Sequence, residues 1–263
     1  MLIRTLSAET IARWERDAGP VCVHGVSLEL SLGGEIETHS HPHGQLMYCP
    51  TGGVTVYSEN GTWVAGPQRA VWIARGIEHW VHAGSSASVR NLIVRNDIAP
   101  QLPDHSCALS VAPLARELIL AAVNGPRTFA PSTRAGRVLQ LLASELREDP
   151  AGTIRLPQPR DRRLARVCKI LEQNPADERG LDDFADLANA SGRTLARLFV
   201  RETGMTFRQW RRMQRFVAAL QHLANGEPVS QAAWLVGYES ASSFIEAFRL
   251  SFGQTPGQYL GNH

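Results

Sequence analysis

The sequence predicts an α+β chain in two parts: a small β-barrel or jelly roll, then an all-α region built on two helix-turn-helix units. Three observations carry this. Between residues 21 and 94, short apolar runs alternate with Gly, Pro and Asn breaks, as closely spaced strands do. From residue 161 onward, apolar residues recur at helical spacing. Between Gly226 and Pro256, two short helices flank a tight turn. Val229, Ala232, Ala233 and Val236 share one face, and Gly237 provides the positive φ of the exit. Ser240 caps the next helix, and Phe244, Phe248 and Phe252 form its buried stripe.

The 263 residues are enough for two domains of roughly 100–150 residues each. The net charge of +2 says little about partners. Its distribution says more: from residue 160 onward there are fourteen Arg and Lys against eleven Asp and Glu, and before it thirteen against fourteen. The basic surplus therefore lies with the helix-turn-helix units. Lys169 is the single lysine, so arginine supplies nearly all the positive charge. Cys22, Cys49, Cys107 and Cys168 form no C-x-x-C pair. They read as reduced thiols of a cytoplasmic protein, not a disulfide frame or zinc ribbon. The charged N-terminus argues against a signal peptide, and no stretch approaches the ~20 apolar residues of a membrane span.

In the N-terminal half, strands are expected at 21–23, 27–32, 45–49, 53–58, 62–65, 70–73 and 89–94. Gly33-Gly34 reads as a break, and Asn60-Gly61 as a hairpin turn. His39 and His41, two apart on an extended segment, share a face; Gln45 and His79 follow. His43, between Pro42 and Gly44, is expected to face solvent. The spacing Gly33-x5-His39-x-His41-x3-Gln45-x6-Gly52 resembles the first motif of the cupin superfamily, and Ala74-x-Gly76-x-x-His79 the second. Gln45 stands where the family has Glu, Ala74 where it has Pro, and Ala83 where it has Asn. The resemblance implies a barrel holding one divalent transition metal (Zn, Ni or Fe) on His39, His41, Gln45 and His79. Gln45 is a weaker ligand than a carboxylate, yet three neutral imidazoles can hold such an ion alone. The same residues also suit a metal-free pocket hydrogen-bonded to an organic ligand, or the relic of an enzyme ancestor. Tyr48, Trp63 and Trp72 are candidates to line an effector pocket, with barrel packing as the alternative.

Helices are expected at 113–123 and 132–148, with Leu114, Leu118, Ala121 and Ala122 on one face of the first. The second carries Val138, Leu141, Leu142 and Leu146. They either pair with a second subunit or pack on their own barrel. Residues 149–159, with three prolines after Asp149 and Gly152 among them, read as a stiff linker.

Further helices are expected at 161–173, 181–190, 191–202 and 206–225, the third capped by Ser191. Leu195, Leu198 and Phe199 bury one side of it; Arg193, Thr194 and Arg197 lie on the other. In the last helix-turn-helix, Ser242, Ile245, Glu246 and Arg249 form the outward strip. The strings Ala233-Trp-Leu-Val-Gly-Tyr-Glu-Ser240, Ser243-Phe-Ile-Glu-Ala-Phe-Arg249 and Phe252-Gly-Gln-Thr-Pro-Gly-Gln-Tyr259 resemble the C-terminal signature of the AraC/XylS family of bacterial transcription regulators. Ser191-Gly-Arg-Thr-Leu-Ala-Arg-Leu-Phe-Val-Arg-Glu-Thr-Gly204 also follows its pattern. The resemblance implies a non-enzymatic, sequence-specific DNA-binding regulator controlled by a small molecule in the barrel. It implies promoter DNA, RNA polymerase and a second copy of the chain as partners. Arg193, Thr194, Arg197, Ser242, Ile245, Glu246 and Arg249 are then the base-contact candidates, with Arg201 and the arginines from Arg208 to Arg215 at phosphate or in solvent. The expected division is 1–100 for the cupin-like sensing barrel, 101–159 for connector and dimerisation helices with the linker, and 160–263 for the DNA-binding domain. The alternative is a metal-dependent cupin oxygenase or isomerase fused to a DNA-binding domain.

Overall fold

The computed structural model describes residues 2–18, 23–59, 61–95, 101–126, 132–149, 153–154, 156–157 and 159–260. Val21, Cys22, Asn60 of the expected hairpin turn, the segment 96–100, Pro150 and Gly152 lie outside them. The chain forms two compact units, one of residues 1–58 and 63–153, the other of 59–62 and 154–263.

The first unit contains β1 (Ile3–Leu6), α1 (Ala8–Ala18), β2 (Val23–His39), β3 (Gly44–Thr51) and β4 (Val54–Ser58). There follow β5 (Gly61–Ala65), β6 (Arg69–Ile73), β7 (His79–Ala83), β8 (Ala87–Val94), β9 (Cys107–Ser110), α2 (Pro113–Val123), α3 (Arg134–Glu145) and β10 (Arg147–Glu148). The strands run β10-β9-β6-β3-β8-β2-β7-β4-β5 across one sheet, with β1 beside β2. Neighbours from β10 to β4 are antiparallel, and β1 is parallel to β2.

Gly33-Gly34 does not break the strand. β2 pairs with β8 through Leu30 and with β7 from Gly34 onward. Gly33, at φ +69°, absorbs the bend as the strand changes partner. Curling leaves apolar side chains on both faces of the sheet. Leu30, Met47, Val56, Trp63, Val71 and Val81 fill the concave side. Leu46, Tyr48, Trp72 and Leu92 point the other way, into a layer with Ile119 of α2 and Leu142 of α3. The two helices thus pack on their own sheet, while Leu114 and Leu141 stay exposed. Gly25 permits the end of α2 to approach the sheet: a Cβ there would collide with the Val123 carbonyl oxygen. α3 ends sooner than its periodicity suggests. Leu146 is extended (ψ 132°), and Arg147 and Glu148 instead pair with Ser110 and Leu109.

The second unit is helical: α4 (Arg162–Gln173), α5 (Leu181–Leu187), α6 (Gly192–Thr203), α7 (Phe207–Ala224), α8 (Val229–Leu235), α9 (Ala241–Phe252) and α10 (Pro256–Leu260). α5 stops before residue 190 because Asn189 turns left-handed at φ 50°. α7 is the shared wall. Its first half packs Phe207 and Trp210 against Phe199 of α6. Its second half offers Phe216, whose ring centroid lies 6.0, 5.2 and 5.6 Å from Phe244, Phe248 and Phe252 of α9. The stretch read as a linker is partly packed: Ile154 and Leu156 are buried, and the Trp210 indole donates to the Pro157 carbonyl at 3.2 Å.

Candidate nucleic-acid interface and ligand site

Two helices are presented in the same way. α6 begins at Ser191, whose Oγ accepts from the Thr194 amide at 3.2 Å. α9 begins at Ser240, whose Oγ accepts from Ser243 at 3.2 Å. Each ends at a left-handed glycine, Gly204 or Gly253. Apolar faces point inward, so the helix axis and register of each outward strip are set by the core.

Arg193 and Arg197 on α6, and Ser242, Glu246 and Arg249 on α9, are exposed; Ile245 is half-buried. The side chains of the three arginines, Ser242 and Glu246 make no hydrogen bond or ion pair with another described residue, so Arg249 does not pair with Glu246. Thr194 differs: half-buried, its hydroxyl lies 2.9 Å from Ser191 Oγ and belongs to the cap. Arg201 is engaged by Glu202 at 2.7 Å, whose other carboxylate oxygen accepts from the Arg160 and Asp161 amides.

Arg215 is not a solvated cation. Its Nε donates to the Pro175 carbonyl at 2.9 Å and its Nη1 to the Gly237 carbonyl at 3.0 Å. Burial lowers its pKa from the usual arginine value. Gly237, at φ +83°, turns between α8 and α9, and a Cβ there would lie 2.8 Å from Arg215 Nη2. This arginine therefore locks the turn that aims α9. No signal at a single position separates it from Arg208 or Arg212, which are exposed.

The histidines meet inside the first unit. His39 and His79 are cross-strand partners of β2 and β7. The Gly76 amide donates to the His41 carbonyl at 2.8 Å, which holds the loop before His79 against the end of β2. The ring centroids lie 4.7 Å apart for His39–His41, 4.3 Å for His39–His79 and 5.4 Å for His41–His79. A ligand atom from each falls within 4.8 Å of the others. His39 Nδ1 lies 2.7 Å from the Glu37 carbonyl and His79 Nδ1 3.0 Å from that of Ile77. A carbonyl only accepts, so both Nδ1 atoms carry the hydrogen and both Nε2 atoms keep a lone pair. Burial drives His39 down to about 4 and His79 to about 3, which leaves both neutral at pH 7. His79 Nε2 and Gln45 Oε1 are buried without a hydrogen-bond partner among the described residues, while Gln45 Nε2 donates to Asn91 Oδ1 at 3.0 Å. His43 is half-buried and outside the cluster.

His39, His41 and Gln45 form the polar end of a narrow cavity of about 40 Å³, with His24 and Asn91. Its other walls are apolar and include Leu6 of β1 and Ile11 and Trp14 of α1. The three aromatic candidates do not line it. Tyr48 and Trp72 occupy positions of β3 and β6 that alternate to the outer face, under α2 and α3. Their polar atoms donate to the Pro67 and Pro103 carbonyls at 3.0 and 2.7 Å. Trp63 is packed in the inner core away from this cavity. Trp14, His24 and Asn91 escaped the sequence reading. Ile11 and Trp14, three residues apart, were the available hint for α1.

Family models match residues 34–262 of the chain. One described as the AraC-like ligand binding domain matches residues 34–183, and one described as a helix-turn-helix domain matches 184–262. The chain is 35% identical over 239 residues to the HTH-type transcriptional regulator NimR of Escherichia coli, covering 91% of this chain and 86% of that protein. It is 40% identical over 103 residues to the HTH-type transcriptional regulator RipA of Corynebacterium glutamicum, 39% of this chain and 31% of that one. Among solved structures, ToxT of Vibrio cholerae aligns over 92% of this chain and 98% of its own with 10% identity and a TM-score of 0.38. No helix among the described residues is long and apolar enough to cross a membrane.

Proposed function

The chain belongs to the AraC family of DNA-binding transcription regulators with an N-terminal ligand-binding domain, and from that premise we propose how its own residues divide the work. We read residues 1–100 as the sensing barrel, 101–159 as the connector and 160–263 as the DNA-binding domain. The protein is a cytoplasmic regulator, not an enzyme. α6 and α9 enter successive major grooves, with Arg193, Arg197, Ser242, Ile245, Glu246 and Arg249 towards the bases. Thr194 braces the Ser191 cap of α6, and Arg201 lies beside phosphate. The exposed Leu114 and Leu141 of α2 and α3 support pairing with a second copy. RNA polymerase is the partner through which promoter binding takes effect.

One observation carries the sensing role: a small pocket with His39, His41 and Gln45 at its polar end, beside His79. His79 Nε2 and Gln45 Oε1 both await a cation or a hydrogen-bond donor. The residues fit a divalent transition metal, which His39, His41 and His79 would hold, with Gln45 as a weaker fourth ligand. Such an ion would supply a Lewis-acidic contact for an effector's oxygen or nitrogen. The apolar walls suit an effector that is small and mostly hydrocarbon. Occupancy shifts the population of states in which the paired DNA-binding domains fit their half-sites.

The test is a promoter-reporter screen with the full chain and its His39→Ala/His41→Ala variant, alongside metal analysis of both proteins. The effector response should vanish in the variant while operator affinity without effector stays within about twofold, a change of about 0.4 kcal/mol. An unchanged response removes the barrel site as the sensor.

A further inference from the structure

A second group of metal-ligating side chains lies at the β10 end of the sheet order, away from the three histidines on and beside β2 and β7. β9 and β10 form its edge, with Arg147 opposite Ser110 and Glu148 opposite Leu109. Strand alternation puts Cys107 and Leu109 on one face, and Glu148, opposite Leu109, shares it. His105, two residues before Cys107, completes the group. One ligand atom each from His105, Cys107 and Glu148 lies within 4.8 Å of the others. Asp104 adds a carboxylate: its Oδ1 is 3.2 Å from His105 Nδ1, while Glu148 Oε1 is 3.2 Å from His105 Nε2.

The segment is held in place from beneath. The Trp72 indole donates to the Pro103 carbonyl at 2.7 Å, and the Ala74 amide to Ser106 Oγ at 3.0 Å. On the other strand, Asp149, next to Glu148, accepts from Arg69 Nε at 2.9 Å. Cys107 and Glu148 thus sit on two braced strands, and His105 on the anchored segment that leads into the first. The sulfur side is dry, with Cys107 buried, and the imidazole and carboxylates face water, from which an ion can enter.

We propose that His105 Nε2, Cys107 Sγ and Glu148 bind one divalent ion of the Zn²⁺ class, with Asp104 as the outer carboxylate that orients His105. The chemistry selects the ion. One imidazole, one thiolate and one carboxylate form a mixed N/S/O set that suits borderline-soft Zn²⁺ and not Mg²⁺ or Ca²⁺. A histidine whose second nitrogen donates to a carboxylate is the usual outer arrangement of such sites. Binding releases the Cys107 thiol proton to solvent as the sulfur–metal bond forms. Water or an added ligand takes the fourth position. The ligands precede α2 and follow α3, so the ion closes the helical pair onto the sheet edge and adds its binding energy to folding.

The full-length protein is stripped with chelator and titrated with Co²⁺ as a spectroscopic probe. A near-ultraviolet thiolate-to-cobalt charge-transfer band should appear and saturate at one ion per chain. It should be absent in Cys107→Ser and persist in His39→Ala/His41→Ala. Glu148→Gln, on an exposed side chain that leaves the fold intact, should weaken Co²⁺ by about tenfold or more. Zn²⁺ should raise the melting temperature of the native protein, and do so less in Glu148→Gln at the same concentration. Absence of a thiolate band in the native protein, its survival in Cys107→Ser, or undiminished affinity in Glu148→Gln each overturns the site; the first leaves a histidine–carboxylate ion pair only.

Discussion

Arg197 and Arg215 show what a sequence can and cannot say about one residue. Both are arginines on helices of the second unit, and both read as outward-facing. Arg197 makes no pairing with a described residue, whereas Arg215 donates to backbone carbonyls around the α8–α9 turn. Only folding supplies those carbonyls, so composition and spacing had no access to the difference. Arg197→Ala should cost about 1–3 kcal/mol of operator affinity and relax the preference at one base pair. Selection on randomised operators checks this; equal weakening on every sequence would make Arg197 a phosphate contact. The histidine spacing was informative for a different reason: a two-residue repeat and a cross-strand partner are properties of the ladder itself. Tyr48 and Trp72 were misplaced because β3 and β6 are buried on both faces, so alternation leaves no polar mark of which face is inward.

At the level of elements, four helices of the second unit were legible almost to the residue, because their starts carry a side chain that accepts an orphan amide. Asp161, Ser191, Thr206 and Ser240 all do so. The first unit was less open. α1 and β1 lie before the first strand signal, and β9 and β10 are too short to show a period. Residues 147 and 148 continue a helical pattern and are diverted only by the ladder with β9. The aromatic stripe of α9 was visible, but not its partner. Phe216 of α7 lies among Phe244, Phe248 and Phe252. Phe216→Ala should therefore destabilise the second unit by about 3–5 kcal/mol. Chemical denaturation followed by the tryptophans of that unit measures it, and a loss below about 1 kcal/mol would mean the stripe packs without its hub.

For the molecule as a whole, the division into a sheet part and a helical part followed from the change of hydrophobic period from two to 3.6. The order of strands across the sheet did not, since pairing between distant segments leaves no local trace. Two reading helices fixed to one long helix imply a rigid ruler on DNA. Inserting about five base pairs, half a turn, between the two contacted segments should turn one to the far side of the duplex. Affinity measured by gel shift should then fall to that of a single segment; unchanged binding would mean that only one helix reads bases. α1 bears on the sensing side in time rather than in strength. Ile11 and Trp14 form part of the wall of a cavity with room for only a few water molecules. A guest larger than that requires part of the lining to move, and α1 is the part of the wall that lies outside the sheet. Where α1 is the part that yields, the capture rate should level off with rising effector concentration, as stopped-flow binding would record; a rate that keeps rising in proportion would mean that α1 does not control entry.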